Sequence, residues 1–246
     1  MSIPLNGLNL QEMRLDANEV IPPPLQAIDL TPSLLCEELF RIYGATIRIQ
    51  KPHVAIPNLQ KIILAALEIG SRKGFHSTTT RDLAEASGLS IGAIYSYVES
   101  KETLLRMILT AVGFAVERVI APPEPGEATD PAARLRGLIR RHIQVTDVMQ
   151  RWFYFAFLEV KAFDKSARDM ALQSELRTEA LIADAIRDGI AAGFYAPGDP
   201  QVWAGLVKPL LQDWYIKRWK YRRRGITSAA YVDTVTSFVE KAIARG

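Results

Sequence analysis

The sequence predicts an all-α protein, and three observations support that fold class. Apolar residues recur at steps of three and four positions through almost every long segment, which is the period of an amphipathic helix. Two segments open with a capping residue followed by proline, at Thr31-Pro32 and Asp130-Pro131. No alternation of polar and apolar residues persists long enough to indicate a strand. We therefore expect nine to ten helices.

Proline and glycine residues place the boundaries of these helices. Pro22-Pro23-Pro24 bars a helix from residues 1–30, and Gly44 and Gly74 each close a helical segment. The Pro-rich stretch 121–126 is the clearest break in the chain. The helices are expected at residues 33–43, 58–73, 80–87, 90–98, 100–119, 131–149, 151–162, 166–192, 200–221 and 228–244.

Length and composition are those of a globular protein with a single cysteine. The chain has 246 residues, of which 48% are hydrophobic and 23% charged, and this argues against a mostly disordered protein. Cys36 alone cannot form an internal disulfide or a multi-cysteine zinc site. No stretch approaches the roughly 18 apolar residues of a membrane span, and the start lacks the pattern of a signal peptide. We expect a soluble cytoplasmic protein that does not contact a membrane.

Charge is nearly balanced, with 30 basic and 27 acidic side chains and a formal net charge of +3. The strongest basic run is Lys217–Arg224. Such a run is compatible with the solvated end of a helix, where positive charge suits the helix dipole. It is also compatible with a site for phosphate or another anion, although charge alone favours the helix end.

Residues 75–101 contain two short helices joined by a turn at Gly88, which is the pattern of a helix-turn-helix. Glycine can adopt the positive φ that a sharp turn requires, and a hydroxyl of Thr79 or Thr80 can cap the first helix. Leu89, Ile94 and Val98 would pack the second helix inward. This leaves Ser90, Ile91, Gly92, Ala93, Tyr95, Ser96 and Tyr97 available to a major groove.

The order and spacing of these residues closely resemble the TetR family of transcriptional regulators. The matching positions are Gly74-Phe75, Thr78-Thr79-Thr80, Leu83-Ala84, Gly88-Leu89-Ser90, Gly92, Ile94-Tyr95, Val98 and Ser100-Lys101-Glu102. The resemblance implies a three-helix DNA-binding domain over residues 51–103 and a larger helical domain over residues 104–246 that binds an effector and dimerises. It also implies a homodimeric regulator of double-stranded DNA, most simply a repressor that a small molecule releases.

Roles of individual residues follow from the same resemblance. Ile91, Gly92 and Tyr95 occupy positions of base contacts in the family, whereas Thr80, Ser90, Tyr97 and Lys101 occupy positions of phosphate contacts. Ser96 belongs to the same predicted surface. Ile91 departs from the family, where polar or basic residues are common, and it can offer only apolar contact, for example to a thymine methyl. Tyr97 is equally compatible with packing between helices.

The family dimerises through its last two helices, which here are those near 200–221 and 228–244. Their apolar residues are candidates for the interface or for the core of one subunit: Leu206, Leu210, Tyr231, Val235, Phe238 and Val239.

Aromatic crowding predicts an effector pocket, because residues 152–157 hold more aromatic surface than one helical face can bury. Later rings would complete its wall, with His142, Glu159 and Asp213 as polar groups. The predicted lining comprises His142, Trp152, Phe153, Phe155, Phe157, Trp203, Asp213, Trp214 and Arg218. Ordinary core packing remains the alternative for most of these side chains.

A weaker resemblance concerns the effector. The stretches 175–179, 190–195 and 213–219, followed by Tyr231 and Phe238, are similar to TetR regulators of fatty-acid and aromatic-acid degradation, whose effectors are acyl-coenzyme A thioesters. On this basis the Lys217–Arg224 run would bind the phosphates of the coenzyme. A hydrophobic xenobiotic that controls an efflux pump is the alternative effector.

An all-α enzyme or lipid carrier is the alternative outside the regulator class. The sequence shows no Ser/His/Asp or Cys/His set, no metal-ligand cluster and no phosphate loop, and its histidines lie in separate segments. We expect no catalytic residues, no metal site and no cofactor.

Residues 1–50 exceed what the family places before its first DNA-binding helix. They carry three basic and six acidic side chains, so most of this extension should not bind phosphate. The helix 33–43 should pack on its own or the partner subunit through Leu34, Leu35, Leu39 and Ile42. Cys36, in the same helix, is compatible with packing or with a redox switch.

Overall fold

A computed structural model describes residues 30–159 and 164–245, and within these ranges it contains eleven α-helices. The one β interaction there is an isolated antiparallel bridge between Tyr195 and Ala244. The helices are α1 (Pro32–Tyr43), α2 (Pro52–Lys73), α3 (Thr80–Ser87), α4 (Ile91–Ile94), α5 (Lys101–Ala115), α6 (Pro131–Val148), α7 (Gln150–Leu158), α8 (Lys165–Ala191), α9 (Pro200–Ile216), α10 (Arg218–Arg223) and α11 (Ser228–Ile243). A π-helical turn, Val116–Ile120, extends α5. The fold class is as predicted.

The helix starts follow the local capping rules. Thr31 precedes Pro32 at the start of α1, and its hydroxyl accepts a hydrogen bond from the amide of Leu34. Asp130 caps α6 through the amides of Ala132 and Ala133. Side-chain oxygens thus satisfy amides that have no partner within the helix.

Three predicted boundaries differ from the structure. Helix α2 begins six residues earlier than expected and contains Pro57, which lies in its second turn on the exposed side. The predicted 90–98 helix is α-helical only to Ile94, because the amides of Ser96 and Tyr97 bond to carbonyls three positions back, in tighter turns. The predicted 200–221 helix breaks at Lys217, which has non-helical backbone angles, and this break creates α10. The predicted irregularity of residues 1–29, and the end of the 151–162 helix, lie outside the described residues.

Helix α2 corrects the expectation that no stretch is apolar enough to span a membrane. Among the described residues it alone passes that test, with a mean hydropathy of 1.2 over an 18-residue window. Half of that window is buried inside the fold. Helices α1, α3 and α7 pack against it, so its apolar surface serves as core of the N-terminal helices.

Helix α1 packs on its own chain, against α2 and α5. Leu35, Cys36 and Leu39 are buried, whereas Leu34 is half-buried and Ile42 is largely exposed. The Tyr43 hydroxyl lies 2.9 Å from Thr110 Oγ1 on α5. Burial raises the pKa of the Cys36 thiol to about 12, so the thiol stays protonated, which favours the packing interpretation over a redox switch.

Candidate DNA-binding surface and ligand cavity

Helices α3 and α4 are held by short-range hydrogen bonds. Thr79 and Asp82 form a reciprocal capping box, in which the Thr79 hydroxyl accepts from the Asp82 amide and the Asp82 carboxylate accepts from the Thr79 amide. Gly88 ends α3 with φ of +69°, in the left-handed region that favours glycine. Ser90 caps α4 through the amide of Ala93. The turn therefore presents α4 at a fixed angle.

The predicted base-reading residues share one exposed surface. Ile91 is 41% exposed and Tyr95 46% exposed, although both are large apolar residues in a folded domain. Gly92 has no neighbouring atom within 4 Å of where a Cβ would stand, so the backbone there is open to a partner. The Tyr95 hydroxyl lies 3.4 Å from Thr80 Oγ1, which places Thr80 beside the same surface.

Two predicted phosphate-binding residues have internal roles. Tyr97 is buried, and its hydroxyl accepts a hydrogen bond from Asn58 of α2 at 3.0 Å, which favours packing over phosphate contact. Lys101 donates to the carbonyl of His76 at 2.9 Å and lies over the ring of Phe75. Partial burial lowers the pKa of Lys101. Thr80 and Ser96 are half-buried and Ser90 is exposed, which leaves these three with polar groups at the rim of the surface.

A cavity of about 630 Å³ lies in the C-terminal helices, in the size range of small-molecule sites. Leu109, Val112 and Val116 form one wall, from α5 and the π-helical turn after it. Helices α6, α7, α8 and α9 supply the rest of the lining. The long helix that follows the helix-turn-helix is therefore also a wall of the cavity.

The inner end of the cavity is polar. Lys208 is buried, and its ammonium donates to Thr178 Oγ1 at 2.6 Å and lies 3.2 Å from Glu175 Oε2. It also lies 3.4 Å from Nε2 of the buried His142. Gln212 donates to the other oxygen of Glu175 at 2.8 Å. These five side chains come from three different helices, α6, α8 and α9.

His142 lies at this inner end in its neutral form. Burial, and the nearby charge of Lys208, hold the pKa of His142 well below its usual range, so the ring is neutral. Because Nε2 faces the Lys208 ammonium as an acceptor, the ring proton belongs on Nδ1. Nδ1 is buried and has no hydrogen-bond partner in the described parts of the chain.

The other end of the cavity opens to solvent. Phe157, Leu158 and Leu172 are exposed there, and Arg168 adds a cation. Phe153 and Tyr215 form the aromatic wall between the two ends. The cavity is thus an apolar channel with an open mouth and a buried polar end. Across residues 30–159 and 164–245, no group of three or more His, Cys, Asp or Glu side chains is placed to hold a metal ion.

Of the residues predicted to line the pocket, His142, Phe153 and Phe157 line this cavity and six others do not. Trp152 is buried in the core, and Trp203 packs against Gly198. Asp213, Trp214 and Arg218 form a separate cluster where α9 meets α10. The prediction relied on aromatic content, and most of these rings face the core because a short helix turns its side chains in all directions.

The Lys217–Arg224 run is neither a simple solvated helix end nor a lining of the cavity. Arg218 is buried in an ion pair with Asp147 and stacks over the ring of Trp214 at 4.5 Å. Lys217 and Lys220 both pair with Asp213. These three cations are matched by carboxylates of the chain, and no residue of the run lines the cavity. Binding of coenzyme phosphates by the run stays a prediction.

Helix α7 connects the cavity to the N-terminal helices. Phe153 and Phe157 face the cavity, whereas Phe155 packs edge-on against Phe75 with ring centroids 5.2 Å apart. Glu159, which was predicted as a polar group of the pocket, instead accepts a hydrogen bond from the Phe75 amide at 3.0 Å. One short helix therefore touches both the cavity and the segment before α3.

The last helices carry an exposed apolar surface. Leu206 is 66% exposed and Phe238 63% exposed, as expected of residues that another copy of the chain covers. Tyr231, Val235 and Val239 are buried within the chain, and Leu210 is half-buried. The structure thus divides the predicted interface set into exposed residues and core residues.

The sequence missed Lys208, Glu175, Thr178, Gln212 and Arg168 as cavity residues. One signal for Lys208 was present, because it is the single charge in the otherwise apolar stretch Ala204–Leu211. A lone charge in a buried apolar helix requires a partner, and so indicates a polar site. The others have no local signature.

Two family models match the chain. The model for bacterial regulatory proteins of the tetR family matches residues 62–108, and the model for a tetracyclin repressor-like C-terminal domain matches residues 128–243. Among curated proteins, the HTH-type transcriptional regulator HbdR of Aromatoleum sp. (strain CIB) is 26% identical over 182 residues, which is 74% of this chain and 79% of the relative.

Solved structures share the fold at low identity. A tetR-family regulatory protein from Rhodococcus RHA1 is 20% identical with a TM-score of 0.69, over 77% of this chain and 98% of that one. AibR, solved with isovaleryl coenzyme A and operator DNA, is 19% identical with a TM-score of 0.63, over 74% and 97%. The fatty acid degradation regulator FadR from Bacillus halodurans is 20% identical with a TM-score of 0.60, over 77% and 98%.

Proposed function

The chain belongs to the TetR family of DNA-binding transcriptional regulators, and from that premise we propose that it is a homodimeric repressor released from its operator by an acyl-coenzyme A thioester. Regulators of this family bind operator DNA as dimers and are not enzymes. The observation that carries the effector proposal is the cavity, whose polar end is buried and whose mouth is open. We place its action in the cytoplasm, where bacterial DNA lies.

For the DNA interface, we assign base contacts to Ile91, Gly92 and Tyr95 because they form the exposed surface of α4. Thr80, Ser90 and Ser96 at the rim contact phosphates, which fix the position of the helix without reading sequence. One α4 covers only a half-site, so two copies are needed for an operator. Leu206 and Phe238 supply the exposed apolar surface that joins them.

The cavity suits an acyl group better than a purely apolar xenobiotic. The inner end of the cavity presents the Lys208 ammonium and the Gln212 amide, and a purely apolar molecule would remove water from these groups without offering them a hydrogen bond. The oxygen of an acyl thioester can accept such a bond. The coenzyme would extend through the mouth, where Arg168 can meet a phosphate. The structure of AibR with isovaleryl coenzyme A supports this class of effector.

Release from DNA follows from the position of the cavity between α5 and α7. A ligand contacts Val112 and Val116 on one side and Phe153 and Phe157 on the other. Helix α7 is tied to the DNA-binding helices through Phe155. If the ligand binds more tightly to the conformation in which α5 and α7 stand apart, it favours a spacing of the two α4 helices that does not fit the operator.

The test is a fluorescence anisotropy titration with DNA from upstream of the protein's own gene. Bound DNA is then challenged with isovaleryl coenzyme A, a long-chain acyl coenzyme A, an aromatic acyl coenzyme A, coenzyme A and the free acids. We expect release by at least one thioester, with little effect of coenzyme A alone. Tight binding of DNA that responds to none of them would contradict the effector class and leave the regulator.

A variant that fills the cavity provides the matched control. Ala171 lines the cavity on α8, and Ser166 is exposed on the same helix. Ala171→Trp should keep DNA affinity within about threefold and abolish release, whereas Ser166→Trp should respond like the native protein. Equal release from both variants would show that the ligand binds elsewhere.

A further inference from the structure

Residues 46–53, which are the end of the loop after α1 and the first two residues of α2, lie beside the surface that α4 presents. The family model begins its match at residue 62, so this segment is outside the part of the domain that the model matches. It carries exposed Arg48, Lys51 and His53. The N-terminal extension is acidic as a whole, but its last residues are basic.

Three contacts fix the segment in place. Ile47 is almost completely buried, and Gln50 donates through its side chain to the carbonyls of Gly44 and Ile47. The amide of Arg48 donates to the carbonyl of Ser96 at 2.8 Å. Ser96 directly follows Tyr95, so the Arg48 backbone is attached to the end of the surface that reads bases.

Among residues 30–159 and 164–245, no carboxylate lies within ion-pair distance of Arg48 or Lys51. Some exposed cations nearby do have such partners, Arg41 with Glu38 and Lys73 with Asp82 at 2.8 Å, whereas Lys61 and Arg81 have none among the described residues. What distinguishes Arg48 and Lys51 is therefore their position beside α4. Two unmatched positive charges held beside a DNA-reading helix favour a polyanion as partner.

We propose that residues 46–53 form a second DNA-contact element, in which Arg48 and Lys51 bind backbone phosphates that flank the half-site. Phosphates border the major groove on both sides of an inserted helix. The Arg48 backbone is hydrogen-bonded to Ser96, just after α4, so the side chains of Arg48 and Lys51 lie next to where those phosphates would be. Because the backbone is already fixed, binding orders only the side chains. Such contacts add affinity without adding sequence preference.

The test measures the salt dependence of DNA binding by the full chain. Each phosphate contact contributes a slope of about −0.9 to log K against log salt, so four contacts per dimer contribute about −3 to −4. The variant Arg48→Ala/Lys51→Ala should therefore flatten the slope by about 3 to 4. It should also bind about 10- to 100-fold more weakly at 0.15 M salt, with an unchanged melting temperature.

The matched control is Lys165→Ala/Arg224→Ala, which removes two exposed charges from the C-terminal helices. It should keep the native slope. The variant Arg48→Lys/Lys51→Arg keeps both charges and should restore most of the affinity. A slope for the alanine variant equal to that of the native protein would overturn the proposal, as would an equal loss in the control.

A random-sequence duplex separates this inference from the identity of the operator. Phosphate contacts act on any duplex, so the same flattening of the slope is expected there. On the operator, shortening the duplex to the two half-sites should weaken the native protein to the level of the alanine variant. If shortening affects both proteins equally, the flanking contact does not exist.

Discussion

The DNA-binding helices and the ligand-binding helices use polar side chains in opposite ways. Around α3 and α4, polar groups bond to atoms about three residues away, as in Thr79–Asp82 and Ser90–Ala93, and the working side chains stay exposed. Around the cavity, Lys208 joins residues 30 and 66 positions distant, and these groups are buried. Substitutions in the first region should change affinity for DNA, whereas substitutions in the second should change stability or response to ligand.

The largest expected effect comes from a buried ion pair of the ligand-binding helices. Arg141 is buried in an ion pair with the equally buried Glu127, 2.6 Å apart, and also donates to the carbonyl of Ile120. Glu127→Ala leaves the Arg141 charge buried with only the exposed Glu124 nearby, 3.6 Å away. We expect a loss of about 3 kcal/mol in the free energy of unfolding, or about 6–12 °C in melting temperature.

An exposed ion pair is the control for this prediction. Arg187→Ala removes a surface pair with Asp184, which should cost less than about 0.5 kcal/mol. Similar melting temperatures for Glu127→Ala and Arg187→Ala would break the comparison, because buried charge would then carry no special weight in the ligand-binding helices.

The double variant Ile91→Ala/Tyr95→Ala tests the exposed side chains of the DNA-binding helices. These side chains face solvent, so their loss should leave the melting temperature within about 2 °C, since surface changes are usually small. A bidentate base contact contributes about 1–3 kcal/mol, and apolar contacts contribute less, so the loss of four side chains per dimer should lower affinity for the operator about 100-fold. Binding to random-sequence duplex should change far less. An equal loss on both duplexes would mean that these residues do not read bases.

The same contrast explains what the sequence could predict. The DNA-binding helices were predictable because Thr79, Gly88 and Ser90 each act within a few residues of their own position. The internal role of Tyr97 was not decided by the motif, because its partner Asn58 is 39 positions away. Local sequence patterns therefore predicted the turn, but they did not predict whether each side chain around it is exposed or buried.

The cavity was only partly predictable, for the same physical reason. His142, Glu175 and Lys208 meet through the packing of α6, α8 and α9, which no local pattern encodes. The aromatic residues gave the right helix, α7, but not which of its rings face the cavity: Phe153 and Phe157 do, while Phe155 faces Phe75. The surroundings of the basic run Lys217–Arg224 could not be predicted from local sequence either, because Asp147, which pairs with Arg218, lies 71 positions before it.

The contact between the two regions gives a third, smaller effect. A Cβ on Gly70 would lie 2.6 Å from the ring of Phe155, which is fully buried and has little room to move. Gly70→Ala should therefore destabilise the protein by about 2 kcal/mol through overpacking, and weaken the response of DNA binding to ligand. Urea unfolding and the release titration measure the two effects.

Gly113→Ala is its matched control on α5. A Cβ at Gly113 meets no atom within 4 Å, and replacing a helical glycine with alanine stabilises by about 0.5–1 kcal/mol. Opposite signs for the two substitutions are expected. Equal stability changes would show that α7 does not press on the DNA-binding helices at Gly70.

The smallest expected effect concerns Asp213, a partly exposed group of the ligand-binding helices. Burial raises the pKa of this carboxyl, but hydrogen bonds from Lys220, Tyr221 and Lys217 outweigh it and hold the pKa at about 2, below the ordinary value of 3.8. A carboxyl with a lowered pKa stabilises the folded state above pH 4, and this contribution is lost as the pH falls toward 2.

Allowing for solvent screening, Asp213→Asn should cost about 1 kcal/mol at pH 7, measured by urea unfolding. The difference from the native protein should stay constant from pH 7 to 5 and shrink below pH 4, whereas the exposed Asp233→Asn should show little difference at any pH. If the difference in unfolding free energy between the native protein and Asp213→Asn persists undiminished to pH 3, Asp213 acts through packing and not through charge. Partly exposed groups would then behave like the buried ion pairs of the same helices.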